Sequence, residues 1–143
     1  MALPERDLAQ SEENPKQTAL ISMPNPATEL DLIAEVQQMH RGEWRNSTTS
    51  KILVRYPDFK ISLVAMRAHA RIGEHQNAGR ISVQTVSGHI RMQALGKTFD
   101  LPAGHVLVLD QAVKHEVEAL QDSAFLLTVA RGEEATQPTP TGM

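Results

Sequence analysis

Six histidines and no cysteine set the chemistry open to this sequence. Without a thiol, disulfides, thiolate zinc sites and cysteine nucleophiles are all excluded. No Ser-His-Asp grouping, phosphate-binding loop or dinucleotide fingerprint stands out. Two histidines draw notice by position. His75 and His115 lie in short strand-like runs near either end of a turn-rich stretch, Gly73 to Val117. A neutral imidazole pair can grip a carboxylate or a hydroxyl, or move protons near neutral pH. For a first-row divalent metal two imidazoles are a short set, because three or four ligands among His, carboxylate and thiolate are usual. The plainer alternative is a pair of histidines lining an apolar pocket, bonded to backbone, water or each other.

The remaining polar residues divide between site and surface. Asn77, beside Ala78-Gly79, is either a turn residue or a weak amide ligand. Gln84 and Gln93 sit on strands, where they offer amides to a pocket or to solvent. Arg67, Arg80 and Arg91 are scattered over strands and read as surface charge before they read as an anion clamp. His89 and His105 follow glycines at strand starts and are expected to be exposed. His40 closes a helix, where a cation suits the C-terminal dipole. Glu116 and Glu118 alternate around Val117 and are expected to face water. His69, six residues before His75, is a further candidate for a metal ligand.

Composition bounds the partners. A chain of 143 residues suits one core, and at 41% hydrophobic and 3% aromatic that core must be aliphatic, with six Met to fill gaps. Few aromatics argue against stacking single-stranded nucleic acid, and a net charge of −3 without a basic stripe argues against a phosphate backbone. No apolar run reaches signal-peptide or membrane-span length. A cytoplasmic protein without nucleic-acid or membrane partners is the expectation.

The elements that must position the histidines are mostly strands. Residues 1–27 are polar and proline-rich and read as a flexible arm, with Ala19 to Met23 as a possible edge strand. Thr28 to His40 reads as the single helix, capped by Thr28, with Leu32, Val36 and Met39 on one apolar stripe and Gly42 to end it. Lys51–Arg55 and Phe59–Ala68 read as a hairpin around Tyr56-Pro57-Asp58. The second strand is apolar on both faces, which a sheet packed on a sheet would cover. Further strands follow at Arg80–Val86, His89–Ala94, Thr98–Leu101, Val106–Leu109, Glu116–Leu120 and Ala124–Ala130. Val106–Leu109 is a continuous apolar run and is expected to be buried. Residues 132–143 read as a disordered tail, leaving 28–131 as the domain. Regular turns between short strands predict an all-β, two-sheet jelly roll with one N-terminal helix.

The stretch Gly73 to Val117 resembles the two motifs of the cupin superfamily, and flanking strands extend the likeness over roughly 51–131. The usual first motif has a His-x-His pair, then a Glu, then Gly before the next strand. His75 matches the first His and Gly88 the closing Gly, while Asn77 stands where the second His would be and Ile81 or Arg80 where the Glu would be. Pro102, Gly104 and His115 match the second motif, a Pro-x-Gly turn followed by a strand and a His. The resemblance implies a double-stranded β-helix, convergence of His75 and His115 in one pocket, and a homodimer. It implies a divalent metal (Zn, Fe, Mn or Ni) only in reduced form, with His75 and His115 as ligands, His69 as a possible third, and an apolar Ile81 where a carboxylate should balance the metal's charge.

Two functions follow as expectations. One is a protein that binds a small molecule, or a divalent metal, in the barrel through His75 and His115, with Asn77 and Ile81 lining the site. The other is a metal-dependent enzyme of dioxygenase, isomerase or decarboxylase type with a reduced ligand set. No catalytic residue is assigned by the sequence.

Overall fold

The computed structural model describes residues 26–132. The chain divides after Leu30 into two compact units, and the second, beginning at Asp31, carries every element described. Most of the expected arm, its edge strand at residues 19–23 and the tail beyond residue 132 lie outside the described residues.

Helix α1 spans Leu32–Arg41 and starts later than the expected beginning at Thr28. Asp31, not Thr28, is its N-cap, with one carboxylate oxygen accepting the Ala34 amide at 3.0 Å. Asp and Thr are both competent caps; here the first turn forms around Asp31. Gly42 ends the helix by donating its amide to the carbonyls of Gln38 and Met39. The stripe buries Val36 and packs Met39 against an apolar patch on the sheet, while Ile33 stays exposed. Trp44 closes that end: its indole N–H donates to the Met39 carbonyl at 2.6 Å and Arg67 stacks 3.9 Å above its ring. Lys51 reaches Glu35 on the helix at 2.7 Å.

Nine strands follow: β1 (Thr48–Tyr56), β2 (Phe59–Met66), β3 (Arg71–His75), β4 (Arg80–Ser87), β5 (His89–Ala94), β6 (Lys97–Pro102), β7 (Val106–Leu109), β8 (His115–Ala119) and β9 (Ser123–Ala130). They form a five-stranded sheet in the order β1-β2-β9-β4-β7 and a four-stranded sheet in the order β3-β8-β5-β6, all neighbours antiparallel. This is the two-sheet jelly roll that the turn spacing predicted, wound as the double-stranded β-helix that the resemblance implied. Its core lies between the sheets: Val64, Met66, Ile81, Val83, Phe125 and Val129 from the larger sheet meet Ile90, Met92, Leu101 and Val117 from the smaller.

The doubly apolar strand β2 is covered by two different things. Val64 and Met66 face the opposing sheet, whereas Leu63 and Ala65 lie with Ala124 beneath the helix side chains. The expectation for β7 was wrong. Val106 and Val108 are 51% and 64% exposed, and only Leu109 is buried. β7 is an outer strand of its sheet, and α1 covers the far side of that sheet at β2 and β9 rather than at β7. An unbroken apolar run therefore marks an edge strand here.

Two turns depend on unusual backbone. Leu95 and Gly96 both have positive φ, 56° and 71°, which joins β5 to β6 through the tight two-residue hairpin connection. Gly88 sits at φ 82°, and a Cβ there would meet the Asp122 carbonyl oxygen at 2.3 Å, so no side chain fits. Next to it the buried Ser123 hydroxyl accepts the His89 amide at 2.9 Å. No helix among the described residues is long and apolar enough to cross a membrane.

Candidate functional site

Strands β3 and β8 bring the two histidines face to face. His75 ends β3, His115 begins β8, and the two are cross-strand partners. Their ring centroids lie 4.2 Å apart at an interplanar angle of 63°. A slip in the ladder makes this possible. Ile72 pairs with Val117 and His75 with His115, so β3 advances by one residue more than β8. In a regular strand a residue three positions after inward-facing Ile72 would point outward. The extra residue, a β-bulge within Gly73-Glu74, restores His75 to the same face as His115.

Each ring is tied to its own strand in the same way. His75 Nδ1 lies 2.8 Å from the Gly73 carbonyl oxygen and His115 Nδ1 lies 2.9 Å from that of Val113. A carbonyl oxygen only accepts, so each Nδ1 must carry the hydrogen, and each Nε2 is bare when its ring is neutral. His115 is buried, at 4% exposure, whereas His75 is exposed. Burial pushes the His115 pKa below its ordinary value; the bond to Val113 opposes this and the neighbouring His75 adds to it.

The loops on either side are clamped together. The Ala112 amide donates to the Asn77 carbonyl at 2.8 Å, joining the loop after His75 to the loop before His115. Asn77 thus takes part through its backbone. Ala112 holds a positive φ of 61° to make that bond. Neither the bulge nor this clamp was read from the sequence. Gly73-Glu74 carries no pattern that marks a bulge, and a main-chain clamp leaves no side-chain signal.

The other candidates lie elsewhere. His69 occupies the turn before β3, at the opposite end of that strand from His75, with its amide bonded to the Ala119 carbonyl. Ile81 faces the interior from the other sheet, at 3% exposure. Gln84 and Gln93 are exposed. Arg67 is engaged with Trp44, Arg80 lies 2.9 Å from Asp110, and Arg91 lies 3.8 Å from Asp100. His89, expected to be exposed, is partly buried and its Nε2 lies 2.7 Å from Asp100 on β6. The cross-strand pairing of Arg91 with Asp100 brings that carboxylate within reach, and pairing is not visible before register is known. His105 is exposed, as expected.

The interior beyond the pair is filled by aliphatic side chains, with Met66, Ile90 and Met92 wholly buried. A groove of about 690 Å³ lies nearby, lined by Glu74, Gln93, Leu95, Lys97, Lys114 and Glu116 among others, but neither histidine lines it. It lies at the β5–β6 turn, beside the loop that leads into β8. The pair stands where β3 ends and β8 begins.

This donor set does not complete a metal site made by the protein alone. Among the described residues no group of three or more His, Cys, Asp or Glu is placed to hold a metal ion. The tethered Nδ1–H groups do match the support that metal-bound imidazoles usually have. Two neutral nitrogens remain one ligand short at the least.

No family profile matches the sequence, and no curated protein matches it. Solved structures do. The chain is similar to a conserved protein of unknown function from Streptococcus pyogenes, with 25% identity and a TM-score of 0.63 over 76% of this chain and 91% of that one. It is similar to a cupin superfamily protein from Desulfitobacterium hafniense at 16% identity and a TM-score of 0.60, over 64% and 84% of the two chains. KdgF from a Halomonas species gives 23% identity and a TM-score of 0.56, over 66% and 92%. With two antiparallel sheets wound as a double-stranded β-helix, the chain has the fold of the cupin structures it is similar to.

Proposed function

We propose that this protein binds a small molecule at the mouth of the barrel and holds it between His75 and His115. The observation that carries this reading is the pair itself. Two imidazoles lie 4.2 Å apart, each tethered through Nδ1 to the carbonyl two residues upstream, which leaves Nε2 of each neutral ring as an acceptor. Histidines kept only for packing would not need two separate tethers, a bulge and a left-handed Ala112 to bring them together.

Thermal denaturation with a panel of small molecules tests the proposal, because a native-state ligand raises apparent stability. A ligand that raises the midpoint of the native protein and fails to do so in His75→Ala/His115→Ala supports it. Equal shifts in both proteins would defeat it. The tethered Nδ1–H groups favour a second reading, a metal-dependent enzyme in which water or substrate completes the ligand set. Elemental analysis of untagged protein separates the two: stoichiometric Fe, Mn, Ni or Zn that disappears in the double variant selects the enzyme.

A further inference from the structure

We infer that strand β7 is an interface between two copies of this chain, each laying Val106–Leu109 antiparallel against the same stretch of the other about a two-fold axis at Leu107. This goes beyond the ligand-holding reading and does not depend on it. The two sheets end in four edge strands, β1, β7, β3 and β6. An exposed edge invites pairing, and natural proteins blunt it with charge, proline or a bulge. β1 carries Lys51, Arg55 and a register slip between Ile52 and Val54. β3 carries Arg71, Glu74 and the bulge before His75. β6 carries Lys97, Asp100 and Pro102. β7 reads Val-Leu-Val-Leu, with none of these devices and an unbroken register on β4. Both of its valines are exposed.

The hydrogen-bond pattern names a second copy as the occupant. The Thr85 amide donates to the His105 carbonyl at 3.0 Å, and the register sets Val83 opposite Leu107 and Ile81 opposite Leu109. In an antiparallel ladder alternate residues turn both main-chain groups toward the same neighbour. Leu107 and Leu109 therefore face β4, while Val106 and Val108 hold N–H and C=O toward the open side, where nothing among the described residues pairs. A two-fold axis at Leu107 sets Val106 of each copy opposite Val108 of the other, as hydrogen-bonded pairs. Every outward main-chain group of the strand then finds a partner, and the valines of both copies meet on one face as cross-strand neighbours. No charge on the strand repels its copy. His105 lies just before it and Asp110 just after, both exposed. Antiparallel order sets the imidazole end of each copy beside the carboxylate end of the other and keeps the two carboxylates apart. The contact is closed by its symmetry, so assembly stops at two. Four residues a side are few against the ~800 Å² per partner of a standard interface, so the dimer is weak and forms as concentration rises.

Sedimentation of the full chain from about 10 µM to about 1 mM tests this, together with amide exchange at Val106 and Val108. A monomer–dimer equilibrium is expected, in which both amides exchange more slowly as the dimer fills. Val106→Pro removes an amide that β4 does not use, at the first position of the strand, where proline is tolerated. Val108→Lys puts a charge on the exposed face. Each is expected to keep its unfolding transition and to weaken association about tenfold or more. Ile33→Lys, at an exposed apolar position on α1, is expected to leave association unchanged. A chain that stays monomeric at about 1 mM would overturn the inference. So would a monomer whose Val106 and Val108 amides are already protected, because its own chain would then cover the edge. A dimer that the folded β7 variants leave intact, or that Ile33→Lys weakens as much, would also overturn it. Growth beyond two copies would overturn it too, by showing that other edges pair.

Discussion

At the scale of single residues, the buried ring of His115 ties stability to pH. The unfolded chain protonates this ring near its ordinary value of 6.5, and the folded chain only at lower pH. Between those two points the unfolded state binds more protons, so the folded state is at full strength above the window and weakens as pH falls through it. Denaturant midpoints compared at neutral and mildly acidic pH should fall for the native protein and fall less for His115→Leu. An unchanged difference between the two would show that the ring does not resist protonation. Leu95 offers a test of a different kind. It holds φ 56° at a turn position that Asn occupies with less strain, and its side chain is 69% exposed. Leu95→Asn should stabilise the fold by about 1 kcal/mol, read as a higher denaturation midpoint.

At the scale of elements, the bulge in β3 determines which way His75 points. Deleting Gly73 should restore a regular ladder in which His75, now two positions after Ile72, still faces His115. The cross-relaxation expected between rings 4.2 Å apart should then persist in NMR spectra, and its loss would show that the pair does not follow the register. For helix α1, Asp31→Ala removes the cap and should cost about 1 kcal/mol, with Thr28→Ala near neutral as the control. These two elements show what the sequence made legible. Helix type and stripe were readable from Leu32, Val36 and Met39, because amphipathic period survives without tertiary information. The start was not, because Thr28 and Asp31 are both good caps. Strand positions were readable from turn residues such as Ser87-Gly88 and Pro102-Ala103-Gly104. The inward turn of His75 was not, because simple alternation fails at an inserted residue. Val106–Leu109 was misjudged because a run covered on both faces and an apolar edge strand look alike in one dimension.

At the scale of the whole molecule, the barrel is one filled core with a second apolar layer on its back. Leu63 is wholly buried in that second layer, between sheet and helix, and its loss should weaken the entire unit. Leu63→Ala is expected to cost about 2–5 kcal/mol in cooperative unfolding, and Ile33→Ala, at an exposed helix position, within about 0.5 kcal/mol of zero. A split transition in the Leu63 variant would mean that helix and barrel unfold separately. The way the two rings are anchored has a consequence for how such a molecule can change over time. Both lean on the main-chain oxygen two places upstream, an atom that every amino acid supplies. Substitutions at the anchoring positions can therefore accumulate without swinging either ring, provided the strands keep their path. New specificities can arise around a fixed pair of nitrogens through changes in neighbouring side chains alone.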